Sequence, residues 1–213
     1  MPPEPHVKRA IAFFDGQNLF HSVKDAFGYT FPNYDPKKLA FEVCRLKGWV
    51  LHETRFYTGI PAQPKDPFWH YFWSTKLGVF NKRKQTVVYT RPLRYMQKDV
   101  PSPGGGTQTV TVADEKGIDV RIAIDIISLA FTQAYDVALV FSQDQDLSEV
   151  ADEIRKISAM QGRWLKIASA FPGNQPGNPR NRGINRTDWV PFNKVFYDLC
   201  IDPRDYRPSL QKP

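Results

Sequence analysis

Four aspartates offer the clearest chemistry in this 213-residue chain. Asp15 closes the run Arg9-Ala-Ile-Ala-Phe-Phe14, which is apolar after its opening arginine. Asp119 follows Lys116-Gly-Ile, and Asp144 and Asp146 follow a second apolar run through Ser142-Gln. Hard divalent cations such as Mg²⁺ take oxygen ligands and keep several waters alongside substrate phosphate oxygens. One or two such ions activate water and neutralise the charge that develops in a phosphodiester displacement. Aspartates from separate strand ends meet that demand without histidine or cysteine. The four histidines, His6, His21, His52 and His70, show no paired zinc spacing. Such crowding also raises carboxyl pKa values unless a cation is nearby.

Each candidate has a structural competitor. Asn18 caps the helix that follows or orients Asp15. Asp119 suits a helix N-terminus, where the dipole favours acids, and Asp144 or Asp146 suits the cap of the helix from Leu147. Asp125 lies in an apolar helical face with Arg121 four residues before it, so an ion pair competes with a site role. Lys116 is a phosphate contact or a solvated loop charge.

The elements that must hold these residues alternate. A strand at Arg9–Phe14 precedes a helix at Leu19–Ala26, with Gly16 expected to allow a tight turn between them. Asp35-Pro36 opens a helix to Lys47, with aspartate as N-cap and proline in the first turn. A strand follows at Trp49–Tyr57, a helix from Asp66-Pro67 to Phe80, and a strand at Gln85–Leu93. The Trp69, Phe72, Trp73 and Leu77 stripe reads as core. Residues 94–116 read as an inserted hairpin with a Pro/Gly tip. The tip lacks the Lys-Ser/Thr and helix start of a phosphate loop. A helix to Phe131, a strand at Tyr135–Phe141, a helix at Leu147–Met160 and a strand at Trp164–Ala168 follow. The remainder is read as a loop over 171–188 and a terminal helix at Pro191–Cys200. Alternation of this kind means an α/β fold on a parallel sheet, with ligands at the carboxyl ends of its strands.

Residues 155–213 hold 11 Lys/Arg against 4 Asp/Glu, so the whole net charge of +7 lies there. That stretch is a solvated basic tail or a phosphate-tracking surface beside the acids. No segment approaches the ~20 apolar residues of a membrane span, and Met1-Pro-Pro-Glu-Pro5 does not start a signal peptide. Cys44 and Cys200 lie in apolar helical patterns and read as buried thiols of a cytoplasmic protein.

In order and spacing, Ala12-Phe-Phe-Asp15-Gly-Gln-Asn18-Leu-Phe20, Tyr57-Thr-Gly59, Lys116-Gly-Ile-Asp119-Val-Arg-Ile-Ala-Ile-Asp125 and Tyr135-Asp-Val-Ala-Leu-Val-Phe-Ser142-Gln-Asp144-Gln-Asp146-Leu147 resemble the NYN domain, a branch of the PIN-like nuclease superfamily. The family usually reads Ser-Gly-Asp-x-Asp-Phe at the last site; Gln143 and Leu147 depart from it. The resemblance implies a three-layer α/β/α PIN-like sandwich with a mostly parallel central sheet carrying the inserted hairpin. It further implies a Mg²⁺- or Mn²⁺-dependent ribonuclease. Asp15, Asp119, Asp144 and Asp146 would be metal ligands or their support, with Asn18 beside them and water attacking the phosphodiester in line. RNA is the expected partner, and a homo-oligomer is left open. From charge alone, Lys116, Arg180, Arg182 and Arg186 are expected along the RNA backbone. Residues 1–8 are expected as a disordered tail, 9–170 as the domain, and 171–213 as a basic loop and helix packed on it.

The rivals are weaker. A haloacid-dehalogenase-type phosphatase needs a second acid where Gln17 stands. A dinucleotide-binding fold needs a Gly-x-Gly-x-x-Gly that is absent. The serious alternative is an RNA-binding or regulatory module that kept the fold without turnover, and a DNA nuclease is a third possibility.

Overall fold

A computed structural model of the chain describes residues 2–102, 104–173 and 182–208. Arg9–Asp15 forms β1, followed by α1 (Gly16–Phe27), α2 (Pro36–Lys47), β2 (Val50–Ile60), α3 (Pro67–Phe80) and β3 (Thr86–Pro92). The hairpin β4 (Arg94–Pro101) and β5 (Thr107–Asp114) leads into α4 (Ile118–Phe131) and β6 (Val137–Phe141). A single 3₁₀ turn, Gln145–Leu147, opens α5 (Ser148–Gln161), and β7 (Lys166–Pro172), β8 (Asp188–Phe192) and α6 (Lys194–Asp198) are the last elements among the described residues.

The main sheet has six strands in the order β3-β2-β1-β6-β7-β8, and every pairing in it is parallel. β1 is central because its side chains are apolar on both faces. Ala10, Ala12 and Phe14 pack with α1, α2 and α3, and Ile11 and Phe13 pack with α4 and α5. Phe14 stacks on Phe141 of the neighbouring strand at 4.0 Å between ring centroids. Helices on both faces make the three-layer α/β/α sandwich. Successive strands run outward from β1 in one direction through β2 and β3, and in the other from β6. The carboxyl ends of β1 and β6 are therefore the topological switch point, where α/β sheets bind ligands.

The local signals explain most element ends. Asp35 accepts from the amides of Lys37 and Lys38 as N-cap of α2, with Pro36 in its first turn. Helix α1 begins at Gly16, earlier than Leu19, because Asp15 is its N-cap. Gly16 serves close approach: a Cβ there would stand 2.8 Å from the Phe56 ring and 2.9 Å from the Tyr57 carbonyl oxygen.

Two expectations fail at the C-terminal end. The presumed loop over 171–188 ends in a sixth strand, β8, parallel to β7. The presumed helix from Pro191 is the five-residue α6, capped by Asn193. Pro191 suggested a first helical turn, but it lies in an edge strand, where a missing N–H costs no ladder bond.

Candidate active site

Asp15, at the end of β1, caps α1: its Oδ1 accepts the Asn18 amide at 3.1 Å. Ser142, just past β6, donates its hydroxyl to Asp15 Oδ2 at 3.4 Å and accepts the Asp144 amide at 3.1 Å. Asn18 Oδ1 accepts the Gln143 amide at 2.9 Å. Thus the start of α1 and the turn after β6 are fastened side by side. Gln143 has no positive φ, so the site does not need the glycine that the family carries there. Its side-chain amide donates to the Arg182 carbonyl at 2.7 Å.

These contacts open onto a cleft of about 370 Å³ lined by Asp15, Glu115, Lys116, Gly117, Asp119 and Asp144, among others. Asp119 stands in the first turn of α4. Glu115 was missed by sequence reasoning. It follows β5 at the foot of the hairpin, and its carboxylate accepts the backbone N–H of Gly59 at the end of β2. Asp146 is exposed and is not among the cleft-lining residues; its amide donates to Asp144 Oδ1 at 3.0 Å within the turn.

The cleft is electrostatically unbalanced. Among the described residues, neither Asp15, Glu115, Asp119 nor Asp144 has a Lys or Arg within ion-pair distance, although Lys116 lines the same cleft. At the opposite edge of the sheet, Asp136 pairs with both Arg9 and Arg163. Burial pushes the Asp15 carboxyl up to about 6. The charges of Asp144 and Asp119 push the same way, against the Asn18 amide and the Ser142 hydroxyl. Burial raises Glu115 to about 7, helped by Asp15 and opposed by the Gly59 amide. Asp125 is spoken for: Tyr57 donates to it at 2.8 Å, and Arg55 and Arg121 pair with it at 3.2 and 2.7 Å.

The basic candidates separate. Lys116 lines the cleft and pairs with Asp114 at 2.9 Å. Arg182 is exposed. Arg186 pairs with Glu149 and Asp152 on α5. Arg180 lies outside the described residues.

Among the described residues, no three Asp, Glu, His or Cys side chains form a ready metal-holding group. The side chains that could ligate in the cleft are nevertheless all carboxylates, and none of the four is paired with the Lys116 that shares the lining. That chemistry fits a hard ion held by one or two carboxylates and several waters.

Residues 9–161 match the family model described as the NYN domain, and the chain belongs to that family, a branch of the PIN-like nucleases. No curated protein matches the chain. Among solved structures it is similar to a protein of unknown function, VPA0982, from Vibrio parahaemolyticus RIMD 2210633. The identity is 18% and the TM-score 0.52, over 90% of this chain and 97% of that one. A second match, the ribokinase from Giardia lamblia, has 10% identity and a TM-score of 0.41, over 87% of this chain and 58% of that one. The first likeness is one of fold.

Proposed function

We propose that the protein is a divalent-metal-dependent ribonuclease that hydrolyses RNA phosphodiester bonds at the cleft between β1, β6 and the foot of the hairpin. One observation supports this reading above the others: four carboxylates face one cleft at the switch point of the sheet without a cationic partner. Asp15, Glu115, Asp119 and Asp144 would hold a Mg²⁺ or Mn²⁺ ion, directly or through water. When bound, the ion supplies a Lewis acid for the phosphoryl oxygen and lowers the pKa of water. Without it, the same carboxylates repel an RNA phosphate. Ser142 and Asn18 act as positioning residues, holding Asp15 and the Asp144 turn in register. Asp146 has no ligand role in this reading and supports the turn. A reducing, cytoplasmic setting accords with Cys44 and Cys200, which are free and buried. Among the described residues no helix is long and apolar enough to cross a membrane.

The test is cleavage of single-stranded and structured RNA, beside matched DNA, in Mn²⁺, Mg²⁺ or EDTA. Asp15→Asn, Glu115→Gln and Asp144→Asn are run against wild type. Metal-dependent RNA cutting lost in all three establishes the reading. Cutting that survives Asp15→Asn and Asp144→Asn places the chemistry elsewhere. Salt-sensitive RNA binding without cutting identifies a binding module, and preference for DNA changes the substrate.

A further inference from the structure

The carboxyl ends of the strands present their groups in a row. Arg91, near the end of β3, pairs in register with Gly59 of β2, whose N–H holds Glu115. Asp15, ending β1, comes next, and Ser142 and Asp144 follow β6. Charge along this edge therefore runs from positive at β3 to negative at β1 and β6.

Arg91 is exposed, and its guanidinium is fixed by neutral groups. Nε donates to the Tyr89 hydroxyl at 3.0 Å, and Nη1 donates to the Lys116 carbonyl at 3.3 Å. It also lies over the Tyr89 ring at 5.9 Å. Gly117 makes room for it: a Cβ there would stand 2.6 Å from Arg91 Nη1, and the residue has a φ of +74°. Lys116 and Gly117 both line the acidic cleft, so Arg91 lies against two residues of its wall. Four other cations around the site are compensated: Arg55 by Glu53 and Asp125, Arg121 by Asp125, Lys116 by Asp114, and Arg186 by Glu149 and Asp152, whereas Arg182 is exposed and meets the site through its backbone carbonyl. Among the described residues Arg91 makes no ion pair with an acid, and Arg94, two residues beyond β3, makes none either.

We infer that Arg91 is a phosphate clamp: it binds the RNA backbone next to the scissile phosphodiester and sets the strand's path over β3 and the hairpin root. This rests on the ribonuclease reading and replaces the C-terminal arginines as the principal backbone contact. Two strand spacings separate β3 from β1, about 10 Å, so a phosphate held by Arg91 is a neighbour of the one at Asp15. A guanidinium pre-set by two neutral acceptors retains outward N–H donors for phosphate oxygens at little cost in side-chain ordering.

The experiment measures binding of a short labelled single-stranded RNA to the full chain in EDTA as salt is varied, and cleavage kinetics in Mn²⁺. Wild type is compared with Arg91→Gln, Arg91→Lys and Arg186→Gln, with a DNA oligomer of the same sequence alongside. Loss of one single-strand phosphate contact lowers the slope of log K against log salt by about 0.7. Arg91→Gln is expected to show that drop, together with a raised KM and a kcat close to wild type. Arg91→Lys keeps the slope, and Arg186→Gln behaves as wild type. Because Arg91 is an exposed side chain, the melting temperature should be unchanged, which separates the effect from misfolding. A wild-type slope and KM in Arg91→Gln overturns the clamp while leaving the nuclease intact. The same slope loss in Arg186→Gln and none in Arg91→Gln returns the backbone contact to the C-terminal arginines. A wild type that neither binds nor cuts RNA overturns the ribonuclease reading itself. A slope change seen only with DNA overturns the assignment to RNA.

Discussion

Asn18 Oδ1 receives the amide N–H of Gln143 at 2.9 Å, across 125 residues of sequence. That bond joins the first turn of α1, which Asp15 caps, to the turn that carries Asp144. Asn18→Ala removes it and leaves the partly buried amide of Gln143 without that acceptor. The expected cost is about 1 kcal/mol, or a fall of about 2–4 °C in melting temperature for a chain of this size. Turnover should fall by much more than stability, since the two carboxylate elements lose register, while KM for RNA stays near wild type. A kcat unchanged in Asn18→Ala would show that the bond is only structural.

Ion binding should be visible without any catalysis. A ligand present at a hundredfold excess over its Kd stabilises the native state by about 2.7 kcal/mol, which is about 5–10 °C here. Thermal melts with Mn²⁺ or Mg²⁺ against EDTA should show that rise in wild type. Asp15→Asn should lose most of it and Glu115→Gln part of it. A full rise in Asp15→Asn would move the ion away from the β1 end.

Asp125 should behave in the opposite way. Its carboxylate satisfies Tyr57, Arg55 and Arg121, and removing it leaves the buried Tyr57 hydroxyl without its acceptor, Arg121 without its acid and Arg55 with Glu53 alone. Asp125→Ala is expected to cost about 3 kcal/mol. The metal-induced rise in melting temperature should persist in the variant. Loss of that rise with unchanged stability would make Asp125 part of the ion site.

Lys76 gives a test of pH dependence far from the cleft. Its Nζ donates to the carbonyls of Pro32 and Tyr34 and faces the rings of Tyr34, Phe72, Phe80 and Tyr206. Burial lowers it to about 7, although Asp202 and Asp35 pull the other way and Arg83 and Arg204 add to the lowering. Between that value and the ordinary 10.5, the unfolded chain binds more protons than the folded one, so stability must rise with pH. The penalty is complete below pH ~7 and lifts as pH climbs towards 10. Chemical denaturation from pH 6.5 to 9.5 should show this rise in wild type and a flatter profile in Lys76→Met. A wild type whose stability is flat or falling across that range would contradict it.

What the sequence disclosed followed how local each signal is. An apolar run broken by Asp15, or by Ser142 and Asp144, is a pattern within a few residues, so the strand ends and their acids were readable. Asp35-Pro36 and Asp66-Pro67 announced α2 and α3 for the same reason. Glu115 was not readable. Beside Lys116 at the end of a polar hairpin it resembles a solvated charge, and only the Gly59 amide, 56 residues earlier, turns it into the cleft. The fate of Arg186 was equally hidden, because Glu149 and Asp152 meet it only once α5 is packed. β8 was obscured by Pro191, whose helix-start and edge-strand meanings are not distinguishable from its neighbours in sequence.

The order of the strands also bears on synthesis. Asp15 is made well before its partner Ser142, which lies 127 residues later. Between them the chain must build α1, α2, β2, α3, β3, the hairpin and α4 before β6 can dock on β1. Contacts of such long range close slowly. A nascent chain still lacking β6 has half a cleft, so the two sides of the site come together only after β6 has been made.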